Sequence, residues 1–417
     1  MILQLSAVSL RSERTAAEGA YGMTDDTDAG PNEAIDGRTA AELYRVQRQR
    51  ADGKTNGFQG MSPEAFLTWA NQNRGRLEGI ARANGAEEGD VEAAIDDYLE
   101  LLRTVPAGAP FDDLNITLIL AGVVRRVEAA CARGGVPIGE GVAYGAHPKM
   151  GIEASQLAVM GTGASIITVS QGFPPFCNLI SKAVALSMVS EAESRTWDGN
   201  KVRDHLQSSP KLRVFWTQIL ASYALDGWPP TDIETPHLDP AQSWIRLQVL
   251  QAMELFAVAH EYGHHVLKHG HSQGTDDVRD PFNDEHEADV FARMIGLNEG
   301  LNSEPPNLFS ASGAGGVLTL GGIELVRRAK AVLETGAANP RPRKSHPPLD
   351  DRIVLIASAD EHANEKDRPV FTDMRDCARQ MLEIAWSFVE PVLVGMHQNG
   401  FRPQVPVQDI GGWLPGG

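Results

Sequence analysis

Cysteine is scarce in this 417-residue chain: three residues, Cys131, Cys177 and Cys377, lie far apart and without metal-ligand spacing. An odd, sparse set excludes a disulfide framework and fits a reducing compartment, so the expected location is cytoplasmic. Each thiol reads as a small buried hydrophobe. Long apolar runs are also missing. Leu114–Val124 is broken by Asn115 and Thr117, and Ile384–Met396 by Glu390 and Pro391. Neither approaches the ~20 continuous apolar residues a membrane helix needs, so no integral membrane association is expected. The opening MILQLSAVSLRSERTAAEG has no basic start followed by an apolar core and does not read as a secretory signal. Positive charge is in deficit: 37 Lys plus Arg face 55 Asp plus Glu, a net −18. Such a surface repels phosphate backbones, which makes nucleic acid a poor partner. No Gly-x-Ser-x-Gly occurs, and Cys177 has no partner motif, so nothing supports a serine or cysteine nucleophile.

What is present is an ordinary globular composition, 42% hydrophobic and 22% charged, in a length that admits two domains or one large core with additions. Residues 1–60 are polar and lack periodicity, and are expected to be disordered or loosely attached. Ser62-Pro63-Glu64 resembles a helix start, and helical patterns at 62–82, 87–104 and 112–132 predict an N-terminal helical region over 61–135. Near Gly134 the texture changes. Gln156–Met160 and ASIITVS at Ala164–Ser170 are short, β-branched and bounded by glycines, which predicts strand–turn–strand. Further helices are expected near 176–190, 211–224, 241–269, from Glu285 onward, and at 317–335, 349–363 and 370–397. A Trp/Pro-rich loop falls at 226–240, and the Pro/Gly-rich tail at 401–417 reads as irregular.

The chemistry concentrates in FAVAHEYGHHVLKHG. His260 and His264 stand four apart, one turn above the other on one helical face, so both imidazoles can reach one metal ion. Glu261, beside them, can reach a water on that ion. Leu250, Met253, Phe256 and Ala257 give the same helix a buried face. The alternative is a surface helix with incidental histidines. A catalytic zinc wants three protein ligands and an open position. The third should lie downstream, and NDEHEADVFARMIG offers Glu285, with Asp289 four residues on to accept a hydrogen bond from a ligand imidazole. Competing ligands are Glu287, His286, His265, His269 and His271. Glu287 points to another face and reads as an ordinary carboxylate. His269 and His271 suit the negative end of a helix dipole, and His265 faces away and reads as structural.

HEYGHHVLKHG, EHEAD and SHPPLDDRI (345–353) together resemble the successive motifs of gluzincin peptidases, nearest to the CAAX prenyl proteases and heat-shock-type membrane proteases. The resemblance spans roughly 150–360. It implies a zincin-like, mostly helical α+β metallopeptidase domain with a small sheet over 136–400, holding one Zn2+ per chain and hydrolysing peptide or protein substrates. By the same resemblance Glu285 is the third ligand, Asp289 supports the site, and His346 lies over the metal, stabilising the oxyanion or plugging the open position. Arg352 braces the site, and Ile166, Ile167, Thr168 and Val169 form the edge strand that pairs with substrate. The alternative for that strand is a plain core position. Two features depart from the family: membrane helices are absent, and nearly ninety residues separate Gln171 from His260. The insertion, at about 190–240 and with Trp197, Trp216, Trp228 and Trp244 in or beside it, is either a lid or substrate-selecting wall, or a helical layer. A catalytically silent zinc-stabilised binding module and a latent peptidase opened by cleavage or a partner are the competing functions.

Overall fold

The computed structural model describes residues 35–55, 63–83, 86–104, 112–188, 198–230, 236–271, 280–342 and 346–404. Trp197, Ser345, residues 1–34 and the tail from 405 therefore lie outside the described residues. What is described is mostly helical, with one small sheet.

Residues Gly37–Thr55, expected to lack regular structure, form helix α1. The reason they escape a hydrophobicity reading is that the face they bury is Ala41, Arg45 and Gln49, a stripe at i, i+4 and i+8 that is mostly polar. Arg45 makes a two-pronged pair with Asp112 at 2.8 and 2.9 Å. Gln49 Nε2–H donates to the Ala146 carbonyl at 2.8 Å. Helices α2 (Pro63–Gln72), α3 (Arg74–Ala83) and α4 (Val91–Thr104) gather Phe66, Leu77, Ile95, Tyr98 and Leu102 into a small core of their own. Helix α5 (Leu114–Gly134), capped by Asp113, starts in that core and runs on into the main one.

The sheet comprises β1 (Val142–His147), β2 (Ala154–Ala158) and β3 (Ser165–Ser170) in the order β1-β3-β2. β3 pairs parallel with β1 and antiparallel with β2. This corrects the expectation for Ile166, Ile167, Thr168 and Val169. Their strand is central, both of its edges are already hydrogen-bonded, and no substrate can add to it. Strand β1 was not foreseen, since VAYGAH is short and interrupted by glycine. Gly145 leaves room there for the Arg45 guanidinium, which a Cβ 1.9 Å away would push off its pair with Asp112.

The remaining helices wrap one core: α6 (Phe173–Ser187), α7 (Gly199–Ser208), α8 (Pro210–Asp226), α9 (Pro240–Val266), α10 (Pro281–Asn302), the short α11 (Leu308–Ser312), α12 (Ala314–Thr335), α13 (Leu349–Ser358) and α14 (Arg368–Gln398). At its centre is α9, begun by a capping box between Asp239 and Gln242 with Pro240 in the first turn. It packs against α6, α10 and α12. Gly315 and Gly316 let α12 cross it closely: a Cβ at either would sit 2.6 Å from Ala252 or Phe256. The insertion supplies α7 and α8. Helix α8 packs on α6, α12 and α14 with Trp216 fully buried, so this part is a helical layer. No described helix is long and apolar enough to cross a membrane.

Candidate metal centre

Helix α9 carries His260, Glu261 and His264 on its last two turns, and α10 lays Glu285 and Asp289 against them. Gly263 permits that approach. A Cβ there would lie 3.1 Å from the Phe291 ring and 3.2 Å from the Ala288 Cα on α10. Replacing Gly263 with Leu is expected to wedge the helices apart and lower stability by about 1–3 kcal/mol in urea unfolding, the usual penalty of overpacking.

Three donor groups converge. His260 Nε2 and His264 Nε2 are 3.1 Å apart. Glu285 places Oε2 at 3.5 Å from the first and Oε1 at 3.5 Å from the second. Donors around a tetrahedral ion with bonds of about 2.0–2.1 Å stand about 3.3 Å from one another, so the spacing and the donor types suit zinc. His260, Glu285 and Glu261 are buried, while His264 keeps 12% of its side chain exposed, opening the group on one side.

The far sides of these residues are tied down. His260 Nδ1 meets Asp289 Oδ1 at 2.9 Å. Because a carboxylate only accepts, Nδ1 carries the proton, and Nε2 is the nitrogen turned to the cluster. Asp289 is in turn clamped by Arg352, whose Nε and Nη2 donate to its two oxygens at 2.6 and 2.7 Å. Arg352 Nη2 also stands 3.5 Å from Glu285 Oε2, so one guanidinium from α13 spans both carboxylates. His346, just before α13, places Nε2 at 3.7 Å from Glu285 Oε2. The residues singled out from the sequence, the four strand positions apart, are thus brought to one place from α9, α10 and the start of α13.

Charge in the cluster is strongly biased. Burial alone would depress the His260 imidazole, but the Asp289 and Glu285 carboxylates outweigh it and hold its pKa at about 9. Burial likewise opposes ionisation of Glu285, yet its contacts with His260 and His264 and the charge of Arg352 bring it well below the usual carboxylate range. Glu261 moves the other way. Burial, reinforced by the negative charge of Glu285, raises it to about 7, against the pull of His260 and of the Gln156 backbone N–H. Its Oε1 is buried and has no hydrogen-bond partner among the described residues. A buried carboxylate oxygen left bare is costly, and a water or polar ligand reaching it would offset that cost.

Outside this group, His265 is structural, as expected. Its ring nitrogens contact Ser165 Oγ at 2.9 Å and the Ile138 carbonyl at 2.8 Å. His269 and Glu287 are not where the sequence reading leaves them. His269 folds back behind His264, with Nδ1 to Nδ1 at 2.8 Å, and its Nε2 meets Glu287 Oε2 at 3.0 Å. Residues five apart do not share a helical face, so no periodicity could reveal this contact.

Residues 177–370 match the family model Peptidase U49. The span, a little under half of the chain, runs from α6 into the first turn of α14. It contains His260, Glu261, His264, Glu285, Asp289, His346 and Arg352, and leaves out the sheet. The match supports a peptidase, hence peptide or protein substrates; the description specifies neither a metal nor a mechanism. No curated protein and no solved structure matches the chain.

Proposed function

We propose that the chain is a zinc-dependent peptidase of zincin-like build, with one Zn2+ held by His260, His264 and Glu285 and with Glu261 as general base. The observation that carries this reading is the meeting of two imidazole nitrogens and one carboxylate within 3.5 Å, beside a buried carboxylate with a bare oxygen.

Zinc at this position would supply Lewis acidity, polarising the scissile carbonyl and lowering the pKa of water towards ~7. Glu261 is the proton carrier: it accepts the proton of the attacking water and passes it to the leaving amine. Its elevated affinity for a proton suits both halves of that task. Arg352 and Asp289 hold His260 and Glu285 in place. His346, whose Nε2 lies 3.7 Å from Glu285 Oε2, would either donate towards charge that builds on the carbonyl oxygen or close the open position. Strand β2, not β3, is the terminal strand facing α9, and its Gln156 N–H reaches Glu261. An extended substrate would therefore lie along β2, paired through its backbone.

The test is cleavage of an unstructured protein substrate by the purified full chain. Hydrolysis should stop on removal of zinc by a chelator and return on adding zinc alone. Undiminished cleavage by the stripped chain would overturn the metal's role, and a zinc-loaded chain that cleaves no substrate from a broad peptide library would overturn the peptidase.

Metal uptake should also carry a proton signature. With its pKa at about 9, His260 is protonated at pH 7 in the metal-free chain, so zinc must displace that proton. Calorimetry in buffers of different ionisation enthalpy should show release of about one proton per zinc at pH 7. Apparent affinity should rise about tenfold per pH unit until the pH passes the His260 value, because above it no proton competes.

A further inference from the structure

The last turn of α9 does not simply fray into solvent. Lys268 takes φ 60°, the left-handed region that a non-glycine residue occupies at a cost of about 1–2 kcal/mol. That turn brings the His269 N–H to within 2.8 Å of the His264 carbonyl and lays the His269 ring against the His264 ring. His269 is only 3% exposed, and Glu287 closes on it from α10. Backbone strain has been accepted to put this imidazole behind a metal ligand.

The protons in the chain of contacts can be placed one by one. Glu287 only accepts, so His269 Nε2 carries a proton and donates it. In the tautomer that satisfies both contacts, His269 Nδ1 is the acceptor and His264 Nδ1–H donates to it at 2.8 Å. This leaves His264 Nε2 with its lone pair directed at His260 Nε2 and Glu285. We propose that His269 and Glu287 are positioning residues for the second zinc ligand. The run Glu287–His269–His264 fixes the His264 tautomer and ring orientation, as Asp289 does for His260. This inference rests on the zinc-site reading above.

The same accounting decides a competing use of these residues. His269, Asp284 and Glu287 bring a nitrogen and two carboxylates close enough to suggest a second cation site. A cation on His269 Nε2 would force the remaining ring proton to Nδ1, where it faces His264 Nδ1 at 2.8 Å. His264 would have to surrender its own Nδ1 proton and carry it on Nε2, which removes it as a ligand. Neutral imidazoles cannot serve both ions at once. The cluster is the anchor of one metal site, not a second site.

The test is the zinc dissociation constant of the full chain, measured by competition with a chromophoric chelator. His269→Leu is expected to weaken binding about 10- to 100-fold, the usual effect of losing a partner behind a metal-bound histidine. His269→Asn, whose Oδ1 can accept the same hydrogen bond from His264, should recover most of the loss. Glu287→Ala should weaken binding several-fold in the native chain and have no further effect in the His269→Leu background, because the relay is already broken. Glu287 is more than half exposed, so its variant keeps the test open should His269→Leu fail to fold. Native affinity in a folded His269→Leu chain, equal effects of Glu287→Ala in both backgrounds, or a second zinc equivalent that Glu287→Ala removes would each overturn the inference. Absence of any zinc uptake by the native chain would instead overturn the zinc-site reading on which it stands.

Discussion

Replacing Glu261 with Gln is expected to reduce peptide hydrolysis by a factor of about 10²–10⁴ while leaving zinc bound. Gln has nearly the shape of Glu, and Glu261 is not among the three converging donors, so the site should stay assembled. What is lost is the basic oxygen. An amide cannot take a proton from water or return one to the departing amine, and the buried Oε1 has no hydrogen-bond partner among the described residues. Single-turnover cleavage with metal content measured on the same samples would show the effect. Near-native turnover in a zinc-loaded Glu261→Gln chain would remove Glu261 from the mechanism.

Asp289→Ala is expected to be the most destabilising single change near the site. Asp289 is fully buried, and Arg352 is nearly so. Deleting the carboxylate takes the nearest counter-charge from the buried Arg352 guanidinium, and breaking a buried pair by removing one partner costs about 3–5 kcal/mol. Two local effects follow from the contacts. His260 Nδ1 loses its acceptor, and Arg352, already 3.5 Å from Glu285 Oε2, would turn to that carboxylate and compete for the third ligand. Urea unfolding of the metal-free chain isolates the stability loss from metal binding. A double change, Asp289→Leu with Arg352→Met, should lose less than the sum of the single changes, because both members of the pair leave together. A loss under about 1 kcal/mol for Asp289→Ala would mean that the pair does not hold α10 and α13 together.

Helix α9 was legible because its buried face is apolar, whereas α10, which buries Glu285, Asp289 and Arg293, showed itself only through the spacing of its carboxylates. Leu250, Met253, Phe256 and Ala257 announce α9, and the i, i+4 spacing of His260 and His264, and again of Glu285 and Asp289, sets each pair on one face whatever surrounds it. Three features were not legible. Helix α1 docks through Arg45 and Gln49, whose partners, Asp112 and Ala146, lie more than sixty residues away, so its buried side reads as polar. The sheet order hides for a related reason. Strand composition shows that β3 is buried, but not whether β1 joins its far edge, and pairing is set by contacts between segments and not within them. The backward fold of His269 depends on a left-handed Lys268, which no propensity foretells.

X-ray absorption at the zinc edge of the purified, zinc-loaded chain tests the central claim most directly. The account predicts one zinc per chain with two imidazole nitrogens and at least one carboxylate oxygen at about 2.0–2.2 Å, the imidazole signal falling by half in a His264→Ala chain. Sulfur in the coordination shell, or an imidazole signal unchanged by that substitution, would contradict it.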